Sequence, residues 1–194
     1  SARRTCGAGE RVASHGDHST DRTCTSCAGD TFQTSSSHTA DACSARRTCG
    51  AGERVASHGD YRSDRSCVIC PAGQYKDTIG NDDCKLCGWG WYQAHATTAA
   101  SASSCTQCSK GQFQDRLGAD DCKACSQGHY NDEEAQPMCF DCPSGKFNNA
   151  GGAQLCHACD SGQFQPSAAQ TGCKSCAAGK FSTSGTDDGY VTCT

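Results

Sequence analysis

Apolar residues along this chain do not recur at the 3.6-residue spacing of an amphipathic helix. They come as isolated aromatics, each at a fixed distance from cysteine. From Cys67 onward a Cys-x-x-Cys pair is followed three residues later by Gly73, Gly90, Gly111, Gly128, Gly145, Gly162 or Gly179. Two residues beyond each Gly stands Tyr75, Tyr92, Phe113, Tyr130, Phe147, Phe164 or Phe181. Gly admits backbone conformations other residues resist, and the Gln-Phe or Lys-Phe step after it begins a short strand. Polar turns follow, such as Gly-Asn-Asp-Asp at 80–83 and Gly-Ala-Asp-Asp at 118–121, where Asn and Asp side chains can bond their own backbone. One repeat therefore reads as a small irregular β-hairpin whose aromatic covers a cysteine bridge. Asn131-Asp-Glu-Glu is the one helix-like start, and nothing apolar follows it.

Composition rules out a conventional core. Val, Ile, Leu and Phe together make 15 of 194 residues, while cysteine alone makes 20. The net charge of -4 is too small for a chain kept open by self-repulsion. Cross-links are the expected source of order, made in an oxidising compartment. Residues 1–65 carry nine Arg and eight acids, and the remainder eight basic residues and thirteen acids, a mild polarity with no basic patch suited to nucleic acid. No apolar run approaches the roughly 18 residues of a membrane span. The chain starts Ser-Ala-Arg-Arg and reads as a mature secreted chain or a piece of a longer one.

Internal repeats set the domain organisation. Ser1–Asp17 recurs unchanged as Ser44–Asp60, and the likeness continues to Cys27 and Cys70. We divide the chain into residues 1–27 and 44–70, two copies of one module; 28–43, a Gly/aromatic loop module; and 71–194, seven repeats of about 17 residues. Asp21-Arg22 and Asp64-Arg65 read as local turn pairs.

Eight Cys-x-x-Cys pairs are joined by the single residues Cys6, Cys43, Cys49 and Cys193. A zinc ribbon would need cysteines in fours, and a redox dithiol a thioredoxin-like setting that is missing. Structural disulfides fit better. If the second cysteine of each pair closes onto the first of the next, all are used: Cys6–Cys24, Cys27–Cys43, Cys49–Cys67, Cys70–Cys84, Cys87–Cys105, Cys108–Cys122, Cys125–Cys139, Cys142–Cys156, Cys159–Cys173 and Cys176–Cys193. Each would close a loop of roughly 15 residues, worth about 3 kcal/mol in the chain-entropy model. An interlocked pattern, such as Cys67–Cys84 with Cys70–Cys87, is the rival. The expected fold is thus small, disulfide-rich and mostly irregular, with short β-hairpins. It is an elongated linear array of about ten modules with no single hydrophobic core, each module touching only its neighbours.

The segment CPAGQYKDTIGNDDCKLC and its sisters resemble the cysteine-rich repeats beside the EGF-like region of Eph receptors. Segment 27–70 resembles a cysteine-rich domain of the tumour necrosis factor receptor family, with CAGDTFQTSSSHTADAC as first loop and TCGAGERVASHGDYRSDRSC as second. Segment 43–67 lacks the extra cysteine pair usual in that second loop. The resemblance implies that the first-loop bridge joins the cysteines flanking the Gly-aromatic strand, as in Cys27–Cys43 and Cys70–Cys84. Such repeats occur in receptor ectodomains, in matrix proteins and in surface proteins of protists and algae, so the resemblance implies architecture more than function.

Candidate sites are few. Trp89, Trp91 and Tyr92 form the densest aromatic cluster, either packing on the next module or anchoring a partner. Ser35, Ser36, Ser37, Thr97, Thr98, Ser101, Ser103, Ser104, Thr183 and Ser184 are candidate O-glycan carriers or plain solvated loop residues, and no Asn-x-Ser/Thr sequon exists. Asp82/Asp83, Asp120/Asp121 and Asp187/Asp188 lack the ligand series of a calcium loop and read as turn residues. No cofactor, metal or enzymatic activity is expected. Because Cys193-Thr194 could lead into Ser1-Ala2-Arg3-Arg4 as Cys43 leads into Ser44-Ala45-Arg46-Arg47, the first expectation is an extracellular structural protein stacking head to tail on copies of itself in a filament. The competing expectation is the ectodomain of a TNFR-like or Eph-like cell-surface receptor with an extracellular protein ligand.

Overall fold

The computed structural model of the chain describes residues 3–182 and 189–194. Among the described residues there is no helix, and eighteen short strands pair as nine antiparallel two-stranded sheets. In chain order, β1 (Glu10–Ser14) pairs with β2 (Thr23–Ser26), and β3 (Thr31–Phe32) with β4 (Ser44–Ala45). β5 (Glu53–Ser57) pairs with β6 (Ser66–Ile69), β7 (Gln74–Tyr75) with β8 (Lys85–Leu86), and β9 (Trp91–Tyr92) with β10 (Thr106–Gln107). β11 (Gln112–Phe113) and β12 (Lys123–Ala124), β13 (His129–Tyr130) and β14 (Phe140–Asp141), β15 (Lys146–Phe147) and β16 (His157–Ala158), and β17 (Gln163–Phe164) and β18 (Lys174–Ser175) repeat that unit. The duplicated segments give the two longest hairpins, each with a register shift, between Val12 and Ser14 and between Val55 and Ser57.

A two-residue strand pair cannot persist alone in water. Here each hairpin is closed by a disulfide with its Cα atoms 5.6–5.9 Å apart. The ten bridges are Cys6–Cys24, Cys27–Cys43, Cys49–Cys67, Cys70–Cys84, Cys87–Cys105, Cys108–Cys122, Cys125–Cys139, Cys142–Cys156, Cys159–Cys173 and Cys176–Cys193. No cysteine is free, which removes the thiolates that a zinc ribbon or a redox dithiol would need.

The chain divides into two units, each described by itself. The first comprises Ser1–Cys70, Lys76–Cys84 and Thr97–Ser103; the second Pro71–Tyr75, Lys85–Ala96 and Ser104–Thr194. In the second unit every module hands backbone hydrogen bonds to the next. Gly90 N donates to Gln114 O at 2.8 Å and Gly111 N to Asn131 O at 2.7 Å. Gln114 N then donates onward to Gln136 O at 3.1 Å, and Ala135 N returns to Cys108 O at 2.9 Å. The first unit uses the same scheme, with Gly52 N on Lys76 O at 2.7 Å and Gly80 N on Cys49 O at 2.9 Å.

Contact also reaches past the immediate neighbour, a correction to the expectation that modules touch only the next one. The repeat glycine of one module abuts the return turn two modules on. A Cβ at Gly90 would overlap the carbonyl of Ala135, and one at Gly128 that of Ala169. Gly90 also holds a φ of 75°, so it is required twice over, by conformation and by space. The facing turn residues are Gly118 and Gly152 in two modules and Ala135 and Ala169 in two others. Ala135 and Ala169 sit at φ 57° and 58°, a conformation that disfavours any side chain.

The interior is made of cysteine and amide. Cys70, Cys87, Cys108, Cys125, Cys142 and Cys159 are all buried. Beside them are buried Lys76, Gln93, Gln114, Asn131, Asn148, Gln165 and Ser182, each the residue immediately after the repeat aromatic. A buried polar group is tolerable only when bonded, and these are. Gln114 Nε2 donates to Asp121 O at 2.7 Å and its Oε1 accepts from Arg116 N at 3.1 Å, so the longer amide spans its own loop. Gln165 does the same with Gly172 O at 2.6 Å and Ser167 N at 3.3 Å. The shorter Asn131 and Asn148 reach back to the preceding module, to Gln112 O at 2.7 Å and His129 O at 2.8 Å. Lys76, only 1% exposed, donates to Glu53 O at 2.8 Å and to Gly80 O. The repeat aromatics expected to cover the bridges are half-buried, except Phe181, which is exposed.

Gly90→Ala is expected to lower unfolding stability by about 1–3 kcal/mol from backbone strain alone, with the carbonyl overlap added, whereas Ala135→Gly is expected to be neutral or stabilising; thermal denaturation with bridges intact measures both. Gln114→Leu strips partners from Asp121 O and Arg116 N and is expected to cost about 1–3 kcal/mol, read as a lowered denaturant midpoint.

Candidate functional site

The aromatic cluster is built by the hairpin closed by Cys87–Cys105. Gly88, Trp89 and Gly90 turn tightly, with Trp91 N donating to Gly88 O at 3.2 Å. Trp89 is left at the tip of the turn, 62% exposed. Trp91 and Tyr92 then form β9, where Trp91 faces Gln107 and Tyr92 faces Thr106 across the ladder. Both are half-buried. Trp91 lines a shallow hollow of about 340 Å³ with Tyr75, Gly88, Ser104 and Cys105. Trp89 therefore does not pack into the interior, while Trp91 forms part of a wall.

Sister modules show what the fold itself requires at these positions. Opposite Trp89 they carry Ala72, Lys110, Gln127, Ser144, Ser161 and Ala178. Opposite Trp91 they carry Gln74, Gln112, His129, Lys146, Gln163 and Lys180. Elsewhere the repeat aromatic leans on its cross-strand partner. Lys85 lies 5.9 Å from the Tyr75 ring and Lys123 5.6 Å from Phe113, while Tyr130–Phe140 and Phe147–His157 meet at 6.1 and 5.9 Å.

The remaining candidates are dispersed. Ser35, Ser36, Ser37, Thr97, Thr98, Ser101 and Ser104 are exposed and Ser103 is half-buried. Ser37 Oγ donates to Thr5 Oγ1 at 3.0 Å, and Ser101 Oγ to Thr98 O at 2.8 Å, so these loops are ordered by their own hydroxyls. Thr183, Ser184, Asp187 and Asp188 lie outside the described residues. Among the described residues the one gathering of metal-type donors is Cys6, Glu10 and Cys24; its two sulfurs are joined to each other, and Glu10 Oε2 accepts from Gly7 N at 2.9 Å.

The Asp-Arg pairs do more than turn the chain locally, which corrects their first reading. Asp21 Oδ1 accepts from Arg22 N at 2.7 Å and from Arg4 N, 17 residues away, at 3.0 Å. Arg22 Nη1 donates back to Arg4 O at 2.7 Å. Asp64 and Arg65 clamp Arg47 in the same manner. These long-range clamps and the buried polar residues after each aromatic were not read from the sequence. The second had a visible signal, since that position is Lys, Gln, Asn or Ser in all seven repeats.

Turn carboxylates dominate the titration behaviour. Asp17 accepts from the amides and hydroxyls of Ser19 and Thr20, and these bonds hold its pKa at about 2, below the ordinary 3.8. In the second copy, bonds from the Arg62 amide and from Ser63 lower Asp60 likewise.

With this geometry in view, a family model described as "Tyrosine-protein kinase ephrin type A/B receptor-like" matches residues 59–104, 95–135 and 145–187. Those stretches cover more than half of the chain, which belongs to that family. Among solved structures, one titled "Human RANKL/OPG complex" is similar at 19% identity over 64% of this chain and 76% of that chain, with a TM-score of 0.32. No curated protein matches the chain.

The depressed pKa of Asp17 fixes a sign. A carboxylate lowered in the folded state stabilises its turn above the ordinary value and loses that contribution as pH falls through about 2. A carboxyl NMR titration is expected to place the Asp17 midpoint near 2, with Thr20 amide exchange accelerating below it and already fast at neutral pH in Asp17→Ala.

Proposed function

We propose that this chain is part of an extracellular, receptor-type ectodomain that binds a protein ligand, with Trp89 and Trp91 as the anchor. Family membership supports this reading over the self-assembling filament expected first, because the family is described by receptors. Ten bridges and no free thiol support an oxidising, cell-surface or secreted setting.

One observation carries the anchor. Two indoles occupy positions where five sister modules build the same hairpin from Ala, Ser, Gln, Lys or His. The hairpin forms without indoles elsewhere, and here Trp89, 62% exposed, stands two residues from Trp91 at the edge of the hollow. Tryptophan is also the residue type that most often dominates protein interfaces, especially beside a hollow that a partner side chain can enter. Gln107 across from Trp91 and Ser104 in the hollow wall supply the polar rim.

The test borrows the sister modules. Trp89→Ser with Trp91→Gln is expected to leave the bridges and the folded spectrum unchanged. Screened against an array of purified extracellular protein domains, the unaltered chain is expected to bind a discrete partner, and the double variant to bind it at least tenfold more weakly. Equal binding by both chains sinks the anchor. Absence of any partner, together with concentration-dependent growth into polymers by analytical ultracentrifugation, sinks the ectodomain reading and reinstates the filament.

A further inference from the structure

The ten bridges are not equally covered. In eight of them the first cysteine is at most 3% exposed. In Cys27–Cys43 both cysteines are half-buried. Cys176–Cys193 is similar, but the loop it closes contains residues outside the described ones. The cover has a backbone cause. Cys6 O accepts from His38 N at 3.1 Å, Cys49 O from Gly80 N at 2.9 Å and Cys87 O from Gly118 N at 2.9 Å, so the return turn of the following module sits on the first cysteine. The module that follows Cys27–Cys43, residues 49–67, turns differently. Asp60 N donates to Ser63 O at 3.2 Å and Ser63 N to Asp60 O at 3.3 Å, which closes that turn on itself. Among the described residues no backbone amide donates to Cys27 O. Close by, a Cβ at Gly29 would meet nothing within 4 Å.

The second sulfur of this bridge lies at an entry. Cys43 lines a hollow of about 320 Å³ with Arg11, Ala28, Thr31, Asp41 and Ala42. Arg11 is exposed, and its Nη1 lies 3.5 Å from Asp41 O. The Asp41 carboxylate is engaged by His15 Nε2 at 2.8 Å. The same hollow recurs beside Cys105, where Tyr75 holds the place of Arg11, each two residues after its repeat glycine. There the partner cysteine, Cys87, is 0% exposed, and the wall of described residues carries no cation.

We infer that Cys27–Cys43 is a thiol-exchange site, at which a small anionic thiol entering beside Arg11 attacks Cys43 and remains on it as a mixed disulfide. Exchange needs a target sulfur open to the incoming thiolate and a leaving thiolate that is readily released. A buried cysteine blocks both routes: as target it is out of reach, and as leaving group it has a raised pKa and little solvation. Only Cys27–Cys43, among the bridges with fully described loops, escapes that block. Arg11 adds a positive charge at the mouth, which raises the local concentration of an anionic thiol. The incoming thiolate sulfur bonds to Cys43 Sγ as the Cys27–Cys43 bond breaks. The electron pair leaves on Cys27 Sγ, which takes a proton from water. The module stays docked meanwhile, through the β3–β4 pair and the ion pair of Asp30 Oδ1 with Arg65 Nη2 at 2.7 Å. The Cys27 thiolate therefore remains near Cys43, and its attack on the mixed disulfide restores the bridge and releases the thiol.

Glutathione is the probe. The intact chain is incubated with it at neutral pH without denaturant, trapped by alkylation at acid pH, and its cysteines are mapped by mass spectrometry. Glutathione on Cys43 and alkylated Cys27 are expected to accumulate at least tenfold faster than opening at Cys108–Cys122 or Cys142–Cys156. In Arg11→Gln, the rate with glutathione relative to the rate with the cationic thiol cysteamine is expected to fall at least threefold. Bridges that open together at one rate overturn the inference, as does glutathione on Cys27 in place of Cys43. A rate ratio that Arg11→Gln leaves unchanged overturns it as well.

Discussion

The closure of each hairpin by a disulfide is the constraint on which the rest of the structure depends. A strand pair of two residues contributes few ladder bonds and almost no apolar area, so its chain entropy would open it. Linking cysteines 14 residues apart, as in Cys108–Cys122, removes about 3 kcal/mol of that entropy from the unfolded chain. With the hairpin ends fixed, the strand carbonyls and amides face adjacent modules at hydrogen-bond distance, and the glycine can approach the turn two modules on. The bridge thus does locally what a hydrophobic core does globally in a larger domain.

Without that core, the interior has to satisfy backbone groups instead of excluding water. Gln114 and Asn148 illustrate the solution. Their amides each offer donors and an acceptor at a fixed separation, and both ends are used, on loop backbone alone for Gln114 and on loop and preceding strand for Asn148. An aliphatic side chain of the same volume would fill the space and leave carbonyls unpaired, which is the costlier fault in a dry interior. Lys76 is the extreme case, a buried ammonium whose charge is solvated by main-chain oxygens.

Much of this could be read from residue order, and the boundary of legibility is physical. The regular cysteine spacing limited the bridging schemes, and the Gly-x-aromatic step marked β7, β9 and their successors because it places a two-residue strand directly after a left-handed turn. The Cys-x-x-Cys, Gly and aromatic pattern also carried the family resemblance. The seats of Gln93 and Asn131 stayed hidden although their positions recur, because a polar residue after a strand usually faces solvent. The Asp30–Arg65 pair spans 35 residues, and no local pattern encodes such a distance. Exposure of Trp89 was equally invisible, since an indole beside glycines suits a packed corner as well as a free tip.

A fold carried by cysteine, glycine and backbone leaves the residues on either side of the repeat glycine almost free of structural duty. Ala, Ser, Lys, Gln and His all serve there in sister modules. Specificity can accordingly be written on such an array one module at a time, by changing two side chains without disturbing a bridge or a buried amide. The hairpin of Cys87–Cys105 has that character, with Trp89 and Trp91 displayed on an otherwise ordinary frame. The physical cause is that stability resides in cross-links, which leaves surface side chains available for recognition.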